Sequence, residues 1–170
     1  LFIDLDKFKQ VNDTYGHHIG DLLLIEVAKI IKKCIRESDT LARLGGDEFA
    51  ILLEGIDSAD LAKKVANKII KALRKPFMLE EIQINTSTSI GIAFHGQSEN
   101  TAESLIICAD EAMYQAKQQG RNRALLHQGE AQEIMVSAKT IEQDALQGLI
   151  KNQFFFIFQP IVDLATGEVV

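Results

Sequence analysis

The sequence predicts an α+β sandwich, a mainly antiparallel sheet covered by helices, on three observations. Bulky residues alternate over residues 1–5, as a buried strand requires. Gly45-Gly46-Asp47 separates two short strand-like runs, 40–44 and 48–53, which is a hairpin pattern because Gly-Gly supplies the positive φ of a tight turn. Apolar residues recur at helical spacing in three stretches, near 20–36, 57–73 and 100–120. The order is strand, helix, hairpin, helix, strand, helix, which suits layers packed around one core.

In the first strand Phe2, Asp4 and Asp6 share one side, and Leu1, Ile3 and Leu5 the other. Asn12-Asp13-Thr14-Tyr15-Gly16 reads as a loop. Leu23, Val27, Ile30, Ile31 and Cys34 mark the first helix, and Asp21 sits near its start, where a negative charge suits the helix dipole. The second helix, 57–73, is stopped by Lys75-Pro76. Residues 82–94, rich in Ile, Thr and Ser, read as one long strand or a hairpin pair. Asn100 and Glu103 form an N-cap pair for a third helix, which passes through Leu105, Cys108, Met113 and Ala116 and ends at Gly120. At 126–130 the composition turns polar, so the domains are expected to be 1–128 and 129–170. The second part holds an amphipathic helix over 131–150, the apolar run Phe154-Phe155-Phe156-Ile157-Phe158 and a turn at Ala165-Thr166-Gly167. The chain opens on a core strand and stops inside a strand-like run, which predicts a segment cut from a longer protein.

With 170 residues, 46% of them apolar and 25% charged, the chain has the make-up of an ordinary globular protein. A net charge of −6 argues against binding a nucleic-acid polymer, which needs a basic face. A small polyanion stays open if a few Lys and Arg converge. No apolar run is long enough to span a bilayer, so no membrane contact is expected of this segment. Cys34 and Cys108 lie in apolar helical patterns and read as buried thiols of a reducing compartment. His17, His18, His95 and His127 form no ligand pair, so no zinc site is expected.

The chemistry starts with acids. Asp4 and Asp6 end the first strand, and Asp47 and Glu48 sit at the hairpin tip. If the hairpin lies beside that strand, four carboxylates gather at one sheet edge, which needs a cation. One or two carboxylates, with water and phosphate oxygens, are how Mg²⁺ is usually held. By itself Gly45-Gly46-Asp47-Glu48 is more simply a solvated tip.

It does not stand by itself. Phe2-Ile3-Asp4-Leu5-Asp6-Lys7-Phe8-Lys9, Asn12-Asp13, Gly16-His17, Gly20-Asp21 and Arg43-Leu44-Gly45-Gly46-Asp47-Glu48-Phe49 follow in order. Then come Ser89-Ile90-Gly91-Ile92-Ala93, Ala109-Asp110, Ala112-Met113-Tyr114, Ala116-Lys117 and Gly120-Arg121-Asn122-Arg123. The succession resembles the GGDEF domain of diguanylate cyclases from Leu1 to about Leu126. The family's opening helix and its Asp-x-Leu-Thr motif have no counterpart in this chain. The resemblance implies a fold like that of nucleotidyl cyclases and polymerase palms. It also implies an enzyme that condenses two GTP into cyclic di-GMP, working as a homodimer of facing domains. The setting it implies is cytoplasmic, in a protein that N-terminal regions outside this chain could anchor to a membrane.

Roles follow from the resemblance. Asp4 and Asp47 would hold Mg²⁺, or Mn²⁺ in its place, with the carbonyl of Leu5. Glu48 would be a further ligand or help to deprotonate the attacking hydroxyl, and Lys9 would stabilise phosphate charge. Without the resemblance Lys9 is a solvated lysine. Asn12 and Asp21 would read guanine, since a carboxylate accepts from N1–H and the exocyclic amine together. Gly45 and Gly46 would let the nucleotide approach the backbone. Lys117 and Arg121, four apart, would meet the triphosphate, besides suiting a helix C-terminus. Arg36 and Asp39, an Arg-x-x-Asp pattern before the hairpin, match the family's inhibitory site for product; alone, the pattern is a surface ion pair.

Residues 141–170 resemble the start of an EAL domain, the cyclic di-GMP phosphodiesterase barrel, a TIM-type fold. Ala145-Leu146, Asn152-Gln153-Phe154, Gln159-Pro160-Ile161-Val162-Asp163-Leu164 and Thr166-Gly167 carry that likeness. The Glu-Ala-Leu motif and the barrel's metal ligands would lie beyond Val170. The rival to a cyclase is then a silent GTP-binding module that regulates an attached phosphodiesterase.

Overall fold

The computed structural model describes residues 1–94 and 101–127. The chain divides into two units, Leu1–Ile134 and Met135–Val170. The expected EAL-like strands of 141–170 and the helix over 131–150 lie outside the described residues.

The described elements are β1 (Phe2–Asp6), α1 (Phe8–Tyr15), α2 (His17–Cys34), β2 (Thr40–Gly45), β3 (Glu48–Leu52) and α3 (Ala59–Leu73). They continue with β4 (Phe77–Leu79), β5 (Ile82–Ile84), β6 (Ser87–Ile92), α4 (Ala102–Gln118) and β7 (Ala124–Leu126). Five strands form one sheet in the order β2-β3-β1-β6-β7, and β4-β5 is a separate hairpin. All pairs in the large sheet are antiparallel except β6 with β7, which run parallel. The mixed, mainly antiparallel sheet under helices is the fold the sequence predicts.

β1 is the central strand, and its alternation sorts two layers. Ile3 and Leu5 are fully buried in the main core, with Leu23, Val27 and Ile31 of α2 and Ala66, Ile69 and Leu73 of α3. Phe2 faces the other way and packs on Ala109 and Met113 of α4. Helix α4 crosses β6 at Gly91, where a Cβ would lie 1.8 Å from the Ala109 carbonyl oxygen. Only a residue without a side chain allows that approach.

Several expectations need correction. Residues 12–16 are not a loop. Asn12 to Tyr15 complete α1, which buries Phe8 and Val11 and ends at Gly16 with φ of 85°. Asp13, Thr14 and Tyr15 are the exposed last turn of a short helix, and Asn12 turns partly inward. Helix α2 therefore starts at His17, and Asp21 lies past its first turn, so it does not cap the helix or face its dipole end. The cap of α4 is Thr101, whose Oγ1 accepts from the Ser104 amide at 3.2 Å. Asn100 lies outside the described residues. Residues 82–94 split between two sheets, and β4 and β7 were not foreseen: both are three-residue strands, too short for periodicity to show.

Candidate active site

The site is built where β1, the β2–β3 hairpin and the end of α4 meet. Asp4 lies directly opposite Glu48 in the β1–β3 ladder, and Asp47 precedes Glu48 at the tip. The hairpin does lie beside the first strand. Gly46 takes φ of 49°, and open space surrounds both Gly45 and Gly46 where side chains would stand. Arg43 donates from Nε and Nη2 to the Gly46 carbonyl at 2.9 and 2.7 Å, pinning the turn. The sequence reading gave Arg43 no role; an arginine three residues before a turn carbonyl was the signal.

Asp4 is 7% exposed. Lys117, in the last turn of α4, places Nζ 2.7 Å from its Oδ2. Burial raises the Asp4 carboxyl above its ordinary value; the hydrogen bond from Lys117 opposes this, and the charge of Asp47 adds to it. Burial and like charge thus outweigh one lysine, the electrostatics of a place suited to a further cation. Among the described residues no three His, Cys, Asp or Glu side chains converge as a ready metal cage. The oxygens of Asp4, Asp47, Glu48 and the Leu5 carbonyl are hard donors, the type that Mg²⁺ takes in small number beside water and phosphate.

Asp6, grouped with the other acids from sequence, is set apart. It is 4% exposed, and its carboxylate accepts from Ser87 Oγ at 2.5 Å, Ser89 Oγ at 2.7 Å and the Asn122 amide at 3.1 Å. It serves the sheet and the turn after α4.

A second cluster lies where α1 crosses α2. Asn12 Oδ1 is buried and has no hydrogen-bond partner in the structure. It fills the space a side chain at Gly20 would need, since a Cβ there would stand 1.9 Å from it. Asp21 follows Gly20 and is exposed. The carboxamide oxygen is thus packed against Gly20, while the exposed Asp21 carboxylate is an acceptor for N–H groups. Lys9 is exposed on α1, and Arg121 is exposed on the turn after α4.

Arg36 and Asp39 lie elsewhere, between α2 and β2. Asp39 is buried, and its carboxylate accepts from the Arg36 amide at 2.8 Å and the Glu54 amide at 3.3 Å. It is therefore a backbone clamp and makes no surface ion pair. Arg36 is exposed beside a cavity of about 270 Å³ that Lys64 and Lys68 also line.

No described helix is long and apolar enough to cross a membrane.

Comparison with known proteins agrees with this fold. Residues 1–123 match the family described as "Diguanylate cyclase, GGDEF domain". The chain is 42% identical over all of its 170 residues to the bifunctional diguanylate cyclase/cyclic di-GMP phosphodiesterase MucR of Pseudomonas aeruginosa, and spans 25% of that protein's length. Among solved structures, the GGDEF domain of TpbB (YfiN) from Pseudomonas aeruginosa superposes with a TM-score of 0.73 at 42% identity, covering 76% of this chain and 81% of that one. The GGDEF domain of DgcB from Caulobacter crescentus, in complex with c-di-GMP, superposes with a TM-score of 0.70 at 27% identity, covering 75% of this chain and 76% of that one. On the family match, this chain belongs to the GGDEF family of diguanylate cyclase domains.

Proposed function

We propose that the domain is the catalytic part of a diguanylate cyclase. The observation that carries this reading is the pairing of Asp4 with Glu48 across β1–β3 while Lys117 reaches Asp4 from α4. Metal-facing acids and a phosphate-binding cation then share one place. In the reaction, the 3′-oxygen of one GTP attacks the α-phosphorus of another. The new P–O bond forms as the bond to pyrophosphate breaks, and the 3′-hydroxyl proton leaves toward Glu48 or water. Repeating the step closes the ring. A divalent ion held by Asp4, Asp47 and the Leu5 carbonyl would lower the pKa of the attacking hydroxyl and offset phosphate charge. Glu48 orients the hydroxyl, Lys9 offsets charge on the phosphate, and Lys117 and Arg121 hold the triphosphate. Asn12 and Asp21 select guanine. Each domain binds one GTP, so two domains must face each other in a two-fold dimer, and catalysis comes largely from positioning.

We further propose that cyclic di-GMP, the molecule bound in the DgcB structure, binds this chain at Arg36, beside the cavity that Lys64 and Lys68 line, and slows turnover. Asp39 then acts there by shaping the loop.

The rival reading draws on the EAL-like residues 141–170 alone, since the MucR match is to a bifunctional cyclase and phosphodiesterase and speaks for cyclisation. In it the domain binds GTP without cyclising it and regulates an attached phosphodiesterase that begins as a TIM-type barrel. One assay separates the two. The protein containing this chain is given GTP with Mg²⁺, and nucleotides are resolved by chromatography. Cyclic di-GMP or a linear guanosine dinucleotide is the expected product. GTP binding with no linked dinucleotide would leave the regulatory reading standing and remove the cyclase.

A further inference from the structure

We propose that Asp6 is a positioning residue for the triphosphate: its carboxylate tethers the turn that carries Arg121 and closes the helix of Lys117 to the strand that carries Asp4. The proposal rests on the reading that Lys117 and Arg121 take the triphosphate.

Helix α4 ends in a Schellman turn. The Arg121 amide donates to the Ala116 carbonyl at 3.0 Å, and the Gly120 amide to the Lys117 carbonyl at 3.4 Å. Gly120, Arg121 and Asn122 then take φ of 106°, 63° and 53°. Two of these left-handed residues carry side chains, which costs about 1–2 kcal/mol each and persists only where the surroundings hold it. Arg121 is held by the helix end. Asn122 is held from two sides: its amide donates to Asp6 Oδ2 at 3.1 Å, and its Oδ1 accepts from Arg74 Nε, just past α3, at 2.9 Å. Asp6 in turn is fixed by Ser87 and Ser89 of β6. Strand and helix end therefore run in register: Phe2 on Ala109 and Met113, Asp4 on Lys117, Asp6 on Asn122.

The donors to Asp6 are two hydroxyls and one backbone amide, none a cation, and they occupy both oxygens. Its task is geometric, which sets it apart from a metal ligand. In Asp6→Asn the amide oxygen can still accept from Asn122 and Ser87, while the new NH₂ donates to the Ser89 hydroxyl. Geometry survives and charge does not.

The test compares wild type, Asp6→Ala, Asp6→Thr, Asp6→Asn and the double variant Ser87→Ala/Ser89→Ala. GTP and guanosine titrations are followed by amide NMR, with hydrogen exchange at the Asn122 amide. Asp6→Ala, or Asp6→Thr if the alanine variant does not fold, is expected to weaken GTP about tenfold, the equivalent of one hydrogen bond, to leave guanosine unchanged and to speed exchange at Asn122. Asp6→Asn should restore all three. The serine double variant should melt lower with the GTP-to-guanosine affinity ratio intact. Equal loss of GTP and guanosine in Asp6→Ala would overturn the proposal, as would an Asp6→Asn variant as impaired as Asp6→Ala. A wild type that binds neither ligand overturns the nucleotide reading itself, and is recognised before any variant is compared.

Discussion

Lys117 Nζ lies 2.7 Å from Asp4 Oδ2, joining the last turn of α4 to the middle of β1. The pair brings the residue assigned to phosphate and the residue assigned to metal into contact with no ligand present. Lys117 is 28% exposed at its side chain and Asp4 10%, so the lysine is the partner free to turn toward solvent. On the proposed reading, a nucleotide would offer the lysine phosphate, and the carboxylate it leaves would be open to a cation.

The same pair predicts a pH dependence. The Asp4 carboxyl is held above its ordinary 3.8, chiefly by burial. A carboxyl whose folded value is raised contributes stability that is fully present below its unfolded value and lost as pH rises through the folded one. Ionised Asp4 thus weighs against the fold at neutral pH. Asp4→Asn should melt above wild type at pH 7, with the gap closing toward pH 3, while cyclase activity drops at least about a hundredfold. Thermal unfolding of the ligand-free protein across that range checks it; a gap that is constant with pH would rule out Asp4 as its source.

Asn12 predicts a trade between stability and binding. Its Oδ1 is buried without a donor, a state that costs about 1–3 kcal/mol. Asn12→Ala should therefore lose little or no stability, yet bind GTP about tenfold more weakly. Denaturant unfolding and GTP titration together decide the point. A strongly destabilised variant would mean that Asn12 is structural.

Arg36 and Asp39 should separate. Arg36→Ala is expected to abolish product inhibition with the melting temperature unchanged. Asp39→Ala strips the Arg36 and Glu54 amides of their acceptor and should cost about 1–3 kcal/mol. Initial rates with and without added cyclic di-GMP, beside melting curves, test both. Unchanged inhibition in Arg36→Ala would remove the inhibitory site.

What could be read from the sequence follows the range of each signal. The strand of Asp4, the Gly45-Gly46 hairpin and the helices of Leu23, Ile69 and Met113 were legible because bulky periodicity and glycine pairs act locally. The placement of Asp4 opposite Glu48 followed once hairpin and strand were assumed adjacent. Three things were not legible. Phe8 and Val11 bury one face of a two-turn helix, too short a pattern to outweigh the turn-like Asn12-Asp13. Strand β7 exists only through its pairing with β6. The different fates of Asp4 and Asp6 depend on Lys117 and Asn122, more than a hundred residues away in the chain. Acidity is visible in sequence; the partner that gives it a task is not.

The alternation of β1 bears on how this domain tolerates change. Ile3 and Leu5 serve one layer, while Phe2, Asp4 and Asp6 serve the other. A one-residue insertion or deletion within the strand would exchange the two sets, driving carboxylates into the apolar core and turning leucine and isoleucine toward the candidate site. Substitutions here can be graded, but length changes cannot. Genetic drift in this segment should proceed by replacement alone, with insertions confined to connections between elements.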